Sequence, residues 1–435
     1  MKSKNLLVIV IILYCQILFA QNSDIQNLLD SISIDNIKSH VDSLVWAGGH
    51  ETRSSYTEGN KEAAEYIYNY LLSIPELIDV KMDTFYIPEA TSPYDTIPQV
   101  NVVAYLPGKT DDPEIIIVGG HYDASGSRGN NYDETWNTTY KARGADDNAT
   151  GVAGTLEIAR ILSDPTISFN NQHTIKFIAF AAEEYHPVHP SVHHAGSMYD
   201  AKKTMDNEEP LSAAIILDMI GYNYEYNYIE VISDNQSLWL ADEMYNSRNQ
   251  YVPELLANAS PANVPYSDHQ SYQIYGFPAI LLMENDKPWS DDSPYYLKNP
   301  YYHRNLDRIE TVNFEQVEMV TKVSLAATAT LALRNDPTTS IDFAEQTPEE
   351  FSLTAYPNPF NGQVNIKFSL YKSTTLDISF YNALGQEIES MYSNSMFQVG
   401  THNIQWTTDS KSSGLYFCII RGDFGIKSQK LVLLK

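Results

Sequence analysis

The sequence predicts an α/β domain at residues 24–335, a linker at 336–350 and a small all-β domain at 351–435. In the first region, short apolar runs rich in Ile, Val and Phe alternate with segments of helical periodicity. Such runs are typical of strands that are buried on both faces of a mainly parallel sheet. The linker is polar and carries two prolines, and beyond it apolar residues alternate with period two, as in a small antiparallel β-sandwich.

Four apolar runs are predicted to be strands of the first domain, and three segments before, between and after them are predicted to be helices. The strands are "EIIIVGGH", "TIKFIAFAAEE", "AAIILDMIG" and "FPAILLME". The helices are "NKEAAEYIYNYLLSI", "NATGVAGTLEIARILSD" with Asn148 as a cap, and "NFEQVEMVTKVSLAATATLAL" with Asn313 as the cap and Gln316 placed for a capping box. This order predicts a mainly parallel mixed sheet sandwiched by helices.

The N-terminus predicts a secretory signal peptide at residues 1–20. Two lysines precede an apolar run from Leu6 to Ala20, which is short for a bilayer span of about 20 residues. An uncleaved anchor is the alternative. Cleavage leaves a mature chain with no stable membrane span and with Cys418 as its single cysteine, which excludes a disulfide framework.

The net charge of the whole chain is −27. Nucleic acids and anionic membranes bind basic surfaces, so this balance argues against both as partners. Acidity of this degree suits a protein that stays soluble outside the cell.

Potential metal ligands follow three of the predicted strands. His121 ends the first of them, Glu183 and Glu184 end the second, and Asp218 stands near the end of the third. Because functional sites of open α/β sheets lie outside the carboxyl ends of the strands, these side chains are expected at one rim. Asp147, which stands just before a predicted helix, is a further carboxylate that could bind a metal.

A further histidine, His303, stands on a loop rich in Pro and Tyr. A two-zinc hydrolase needs imidazole and carboxylate ligands, a carboxylate that bridges the ions, and a separate carboxylate that accepts the proton of water. The sequence contains all of these. Each residue alone also fits a structural role, such as a carboxylate at a helix N-terminus.

In this region the chain resembles the co-catalytic di-zinc aminopeptidases of the bacterial leucyl aminopeptidase type, which have a zinc exopeptidase (phosphorylase/hydrolase-like) fold. The resemblance covers roughly Ser43 to Leu333. It rests on "NVVAYLPG", "GGHYD", "GADDNATG", "AAEE", "ILDM", "SDH" and "NPYYH", which occur in the family's order.

The resemblance implies a role for each of these residues. His121 and Asp218 would bind one Zn²⁺, and Glu184 and His303 would bind a second. Asp147 would bridge the two ions, and its peptide bond to Asn148 would be cis. Glu183 would be the general base, and Asp123 would orient His121.

The sequence departs from the family pattern at three places, one of which has "HRNLDR" in place of the usual "HTxxDT" and retains Asp307. A tyrosine that helps to hold the oxyanion is replaced by Val264, which leaves Tyr266, Tyr272 or zinc alone for this role, with Tyr266 as the candidate substrate-binding residue. The loop after "AAEE" is longer and carries His186, His189, His193 and His194. We expect these histidines to line the rim of the cleft rather than to bind the zinc ions.

The C-terminal region resembles the sorting domain of type IX secretion cargo. The motifs are "YPNPF", "ALGQ", "SGLYF" and the terminal "LVLLK". A generic adhesion or carbohydrate-binding Ig-like sandwich is the alternative. With the signal peptide, the resemblance implies passage through the periplasm of a Gram-negative bacterium, contact with the type IX secretion machinery, and release or attachment at the cell surface.

Together these features predict a secreted zinc aminopeptidase that acts on peptides or proteins. A carboxypeptidase or a glutaminyl cyclase of the same superfamily is an alternative, and Arg128, Arg143 and Arg304 are candidate partners for a substrate carboxylate. A surface binding protein that has lost catalysis is another. Such a protein would be expected to lose ligands, and none of the five is lost.

Overall fold

The computed structural model describes residues 22–434, apart from 88, 112, 129–140, 168, 185, 187, 189–191, 261–263, 286, 289–294, 296, 335–351, 357, 359, 371–373, 383–385, 398–399, 409–410 and 423–424. The predicted signal peptide and linker lie outside the described residues. The chain forms two compact units. The larger comprises the described residues up to Ser233 with Trp239–Leu333, and the smaller comprises Asp234–Leu238 with the described residues from Arg334 onward.

An eight-stranded sheet forms the centre of the larger unit. Its strands are β1 (Ile78–Phe85), β2 (Gln99–Leu106), β3 (Ile115–His121), β4 (Thr174–Phe180), β5 (Leu211–Leu217), β6 (Tyr228–Ser233), β7 (Leu256–Ser260) and β8 (Ala279–Met283). Their order is β1-β2-β4-β3-β5-β8-β6-β7. The central run β4-β3-β5-β8 is parallel, as is β6-β7, whereas β1-β2, β2-β4 and β8-β6 are antiparallel. The predicted mainly parallel mixed sheet and its four strands are confirmed.

Helices cover both faces of this sheet. They are α1 (Ser23–Leu29), α2 (Ile34–Val45), α3 (Glu58–Leu72), α4 (Gly151–Leu162), α5 (Ala195–Asp206), α6 (Leu238–Tyr251), α7 (His269–Ile274) and α8 (Phe314–Ala332). Within β3, Ile116 and Val118 pack into one apolar cluster, whereas Ile117 packs into another. Alternate residues of a strand point to opposite faces, so both faces are buried. In the part of the chain that the structure describes, no helix is long and apolar enough to cross a membrane.

The helix caps follow the prediction in part. The cap residue of α4 is Thr150 and not the predicted Asn148, although Asn148 Oδ1 does accept the N–H of Gly151, the first residue of α4, at 2.9 Å. Asn313 caps α8 by accepting the N–H of Gln316. The predicted capping box is wrong, because the backbone N–H of Asn313 donates to Gly221 O at 2.6 Å and is not left for the Gln316 side chain.

The smaller unit consists of two antiparallel sheets, in agreement with the predicted all-β domain. Its strands are β9 (Ser352–Tyr356), β10 (Gln363–Leu370), β11 (Thr374–Asn382), β12 (Glu387–Phe397), β13 (Gly400–Thr407), β14 (Gly414–Gly422) and β15 (Gly425–Leu433). The sheet orders are β13-β10-β9 and β12-β11-β14-β15. Residues of both sheets share one apolar core, in which Trp406 stacks on Phe380 with ring centroids 4.2 Å apart.

Candidate metal centre

Three neighbouring parallel strands deliver their terminal side chains to one edge of the sheet. His121 is the last residue of β3, Glu183 and Glu184 follow the end of β4, and Asp218 directly follows β5. All four side chains are buried. The strand order β4-β3-β5 therefore brings together the residues that the sequence placed at separate strand ends.

Two groups of potential ligands share Asp147. In the first group, His121 Nε2 lies 3.3 Å from Asp218 Oδ1 and 3.5 Å from Asp147 Oδ1. In the second, His303 Nε2 lies 3.1 Å from Glu184 Oε2 and 3.2 Å from Asp147 Oδ2. In each group the candidate ligand atoms lie within 4.8 Å of one another. Each oxygen of Asp147 thus faces a different histidine, as a bridging carboxylate requires.

The backbone around Asp147 is held by two buried side chains. Asp307 accepts the N–H of Asp146 at 2.9 Å and the N–H of Asp147 at 3.0 Å. Arg53, which is 1% exposed, donates to the carbonyl oxygens of Arg143 and Gly144, and on the other side to Tyr122 O. Arg53 therefore ties the loop before Asp147 to the end of β3.

The peptide bond from Asp147 to Asn148 is cis, as the resemblance implies. Asn148 Nδ2 donates to Leu217 O at 2.7 Å. This hydrogen bond ties the segment that contains Asp147 and Asn148 to the end of β5, next to Asp218.

The carboxylate of Asp123 accepts the backbone N–H groups of both glutamates and lies beside His121. Its Oδ1 accepts the N–H of Glu183 at 3.1 Å, and its Oδ2 accepts the N–H of Glu184 at 3.2 Å. His121 Nδ1 lies 3.6 Å from the Asp123 carboxylate but 3.2 Å from its backbone oxygen. The structure thus places Asp123 beside His121, as predicted, and adds a contact to the "AAEE" segment.

Glu183 stands beside the ligand groups and belongs to neither of them. Its Oε2 lies 3.8 Å from His121 Nε2, and its Oε1 lies 3.2 Å from His194 Nε2. The carboxylate lines a cavity of about 610 Å³ that the candidate ligands also line. A carboxylate in this position can reach a water molecule held between the two groups.

The electrostatics of the centre favour bound cations. Burial raises the pKa of Glu183 and of Glu184 to about 8. Burial lowers the pKa of His303, but the nearby Glu184 and Asp147 carboxylates outweigh it and raise the value to about 10. Glu184 Oε1 is buried and accepts no hydrogen bond. Two imidazoles and the surrounding carboxylates, one of which has an oxygen without a hydrogen bond, form a donor set that suits Zn²⁺.

Tyr266 is the candidate tyrosine that faces the cavity. It is 55% exposed and lines the wall together with Met198, Met219 and Met283. Tyr272, the other tyrosine considered for the oxyanion, is fully buried, and its hydroxyl donates to Asp200 Oδ2 at 2.6 Å. Tyr272 is therefore committed to the core.

Of the three arginines considered as carboxylate partners, Arg128 lines the cavity. Arg143 instead pairs with Glu51 and stacks over Trp46. The Arg304 backbone N–H donates to Tyr301 O, and its side chain is not part of the cavity wall.

The histidines of the long loop lie in different places. His193 and His194 line the cavity, in agreement with a place at its rim. The prediction is wrong for His186, which is buried against the ring of Tyr56 and is not part of the cavity wall. His189 lies outside the described residues.

Arg53 and the bond from Asp307 to Asp147 were missed in the sequence. Arg53 stands in the polar segment "HETRSSYTEG", which gives no sign that a guanidinium will be buried. Asp307 stands four residues after His303, and that spacing was the available signal.

The fold and the overlapping histidine–carboxylate groups define a metallohydrolase of the α/β class. Residues 101–328 match the sequence model of Peptidase family M28, and residues 354–434 match the model of the Secretion system C-terminal sorting domain. The chain therefore belongs to Peptidase family M28 and is a zinc metallopeptidase that carries a type IX secretion sorting domain.

Two relatives are similar to this chain over more than half of its length. The uncharacterized protein YfbL of Escherichia coli is 27% identical over 294 residues, which is 62% of this chain and 80% of YfbL. Leucine aminopeptidase 1 of Paracoccidioides brasiliensis is 22% identical over 322 residues, which is 72% of this chain and 74% of that protein.

Solved structures share the fold. LapB from Legionella pneumophila superposes with a TM-score of 0.56 at 22% identity and covers 72% of this chain and 76% of its own. The glutaminyl cyclase of Tannerella forsythia superposes with a TM-score of 0.51 at 19% identity and covers 68% of this chain and 97% of its own.

Proposed function

We propose that this protein is a secreted aminopeptidase that uses two Zn²⁺ ions to remove N-terminal residues from peptides. The observation that carries the proposal is the position of Asp147. Its two oxygens face His121 and His303 separately, while Glu183 stands outside both ligand groups. Leucine aminopeptidase 1 of P. brasiliensis supports the choice of reaction by its similarity.

The two ligand groups support an assignment of the ligand roles. His121 and Asp218 would hold one ion, Glu184 and His303 would hold the other, and Asp147, which belongs to both groups, would serve both ions. When bound, zinc polarises the scissile carbonyl and lowers the pKa of water. The buried Asp123 and Asp307 keep the ligands in place through backbone N–H groups.

Glu183 is the general base of this mechanism. It removes a proton from the attacking water and delivers that proton to the leaving amine. Its position in the cavity wall gives it access to a substrate. Tyr266, which lines the same cavity, would hold the oxyanion through its hydroxyl and thus bind substrate.

The test is the substitution Glu183→Gln with Glu184→Gln beside it. Glu183→Gln is expected to keep both zinc ions and to lose turnover of amino-acid p-nitroanilides, whereas Glu184→Gln is expected to lose zinc. Zinc content by elemental analysis separates the two variants. Full activity in Glu183→Gln would contradict its role as the base.

A carboxypeptidase is the second candidate, because Arg128 lines the cavity and a guanidinium binds carboxylates. Peptides with a free or a blocked N-terminus separate the two reactions. An aminopeptidase cleaves only the free set, and a carboxypeptidase cleaves both sets from the other end. N-terminal glutaminyl peptides in the same library also reveal cyclisation, the reaction named for the T. forsythia structure of the same fold.

The predicted signal peptide and the sorting domain together support a route out of the cell. The signal peptide at 1–20 would direct the chain to the periplasm of a Gram-negative host, and the sorting domain would pass it to the type IX machinery. Deletion of residues 351–435 is expected to leave active enzyme in the periplasm. Enzyme that still reached the medium would contradict this route.

A further inference from the structure

The proposed base Glu183 has a neighbour that the roles described so far do not use. His194 is 8% exposed, and its Nε2 lies 3.2 Å from Glu183 Oε1. The other oxygen of Glu183, Oε2, points toward His121 at 3.8 Å. The two carboxylate oxygens therefore face different partners.

The backbone fixes His194 beside Glu183. The N–H groups of His194, Ala195 and Gly196 donate to the carbonyl oxygens of Glu183, Ala182 and Ala181 at 3.0, 2.9 and 3.0 Å, respectively. These three bonds hold the chain on both sides of the long loop together.

The conformation of His194 and the space at Gly196 support this arrangement. His194 has a left-handed backbone (φ 55°) and begins the turn into α5. At Gly196 a Cβ atom would lie 2.3 Å from Ala181 O, so the close approach of the two segments depends on that glycine. The backbone position of His194 is thus built into the fold of the larger unit.

From these contacts we propose that His194 is a positioning residue for the catalytic carboxylate of Glu183. An imidazole N–H can donate to a carboxylate oxygen. Donation from Nε2 to Oε1 would keep that oxygen occupied and would present Oε2 to the water between the ligand groups. The proposal rests on the proposed function, because it assumes that Glu183 is the base.

The proposal predicts a loss in kcat without a loss of metal. His194→Leu removes the donor and is expected to lower kcat about 10- to 100-fold, part of what a positioned base contributes, with KM changed less than about threefold. Zinc content and the unfolding midpoint should stay at wild-type values. His194→Gln, which keeps an N–H donor, should recover at least about tenfold of the lost kcat.

Two controls separate a positioning role from a general effect on the cavity. His193→Leu changes the adjacent cavity-lining histidine, and its kcat should remain at least about tenfold above that of His194→Leu. In a Glu183→Gln background, His194→Leu should cost less than about twofold in the residual rate, because a residue that acts through Glu183 has nothing left to position.

Several results would overturn the proposal. They are kcat of His194→Leu within about twofold of wild type, no recovery in His194→Gln, loss of zinc in His194→Leu, or an undiminished cost in the Glu183→Gln background. A failure of the proposed function itself would give different results. The wild-type enzyme would release no N-terminal residue, or Glu183→Gln alone would keep full activity.

Discussion

The carboxylate of Asp123 accepts the backbone N–H of Glu183 at 3.1 Å. The same carboxylate holds the N–H of Glu184 with its other oxygen. One fully buried side chain therefore sets the position of both the proposed base and a proposed zinc ligand.

Asp123→Asn is expected to lower the free energy of unfolding by about 1–3 kcal/mol, because the amide NH₂ would face a buried N–H that needs an acceptor. We also expect kcat to fall at least about tenfold, since displaced catalytic groups lose activity steeply. Urea unfolding and steady-state kinetics measure the two effects. Asp242→Asn, an exposed change on α6, is the control, and equal behaviour of the two variants would contradict the prediction.

Arg53→Met is expected to destabilise the protein by about 3–5 kcal/mol, because a buried charged partner is removed and three carbonyl oxygens lose their donor. Arg248 also donates to backbone oxygens, of Leu255 and Pro253, but at a half-buried site where water can replace it. Arg248→Met should therefore cost less than about 1 kcal/mol. Denaturant unfolding compares the two, and a similar cost for both would refute this role of Arg53.

Asp307→Asn is expected to weaken zinc binding about 10- to 100-fold, as is usual when an outer residue that orients a ligand is changed. The reason is that Asp307 holds the N–H groups of Asp146 and Asp147. Competition with a chromogenic chelator measures the affinity independently of activity. If Asp307→Asn held zinc as tightly as Asp242→Asn, the backbone bonds would be unimportant for the centre.

Removal of zinc is expected to lower the stability of the larger unit. A ligand present at about 1,000 times its Kd stabilises the folded state by about 4 kcal/mol, and here it also relieves the repulsion among buried carboxylates. Thermal unfolding with and without a chelator measures the difference. Glu184→Gln should show a smaller gain on adding zinc, whereas an unchanged gain would argue that Glu184 is not a ligand.

His40 gives the larger unit a sensitivity to mild acid. Burial lowers its pKa from 6.5 to about 4, and its Nδ1 contacts the Tyr66 hydroxyl at 2.8 Å. Between pH 6.5 and 4 the unfolded chain binds a proton at this position that the folded chain does not bind. Stability is therefore complete above pH 6.5 and falls with pH by about 3 kcal/mol across that window.

The check on His40 is the slope of unfolding free energy against pH. His40→Gln should be flatter than wild type between pH 6.5 and 4, whatever its absolute stability. Identical slopes in the two proteins would show that His40 does not cause the acid sensitivity.

The central strands and three ligand positions could be predicted from local patterns. β3, β4 and β5 are buried on both faces, so their sequences are continuous apolar runs that end at polar residues such as His121 and Asp218. The edge strand β1 gave no such signal, because most of its residues are exposed or half-buried and its sequence "IDVKMDTF" is mixed.

Other parts of the centre depend on contacts between residues distant in the chain. Asp147 and His303 could be assigned only through the resemblance, because neither stands at the end of a strand. The roles of Arg53 and Asp307 arise from bonds to backbone groups 69 to 161 residues away, and no local pattern encodes such partners. His194 was expected at the rim, but its approach to Glu183 depends on the backbone pairing with residues 181–183.

That pairing has a consequence for how this enzyme can diversify. Because backbone hydrogen bonds join residues 194–196 directly to residues 181–183, the two ends of the intervening stretch are held side by side. His193, an exposed residue of that stretch that lines the cavity, can then change while the two glutamates keep their places. Substitutions at this position thus offer a way to alter the mouth of the cleft without redesigning the metal centre.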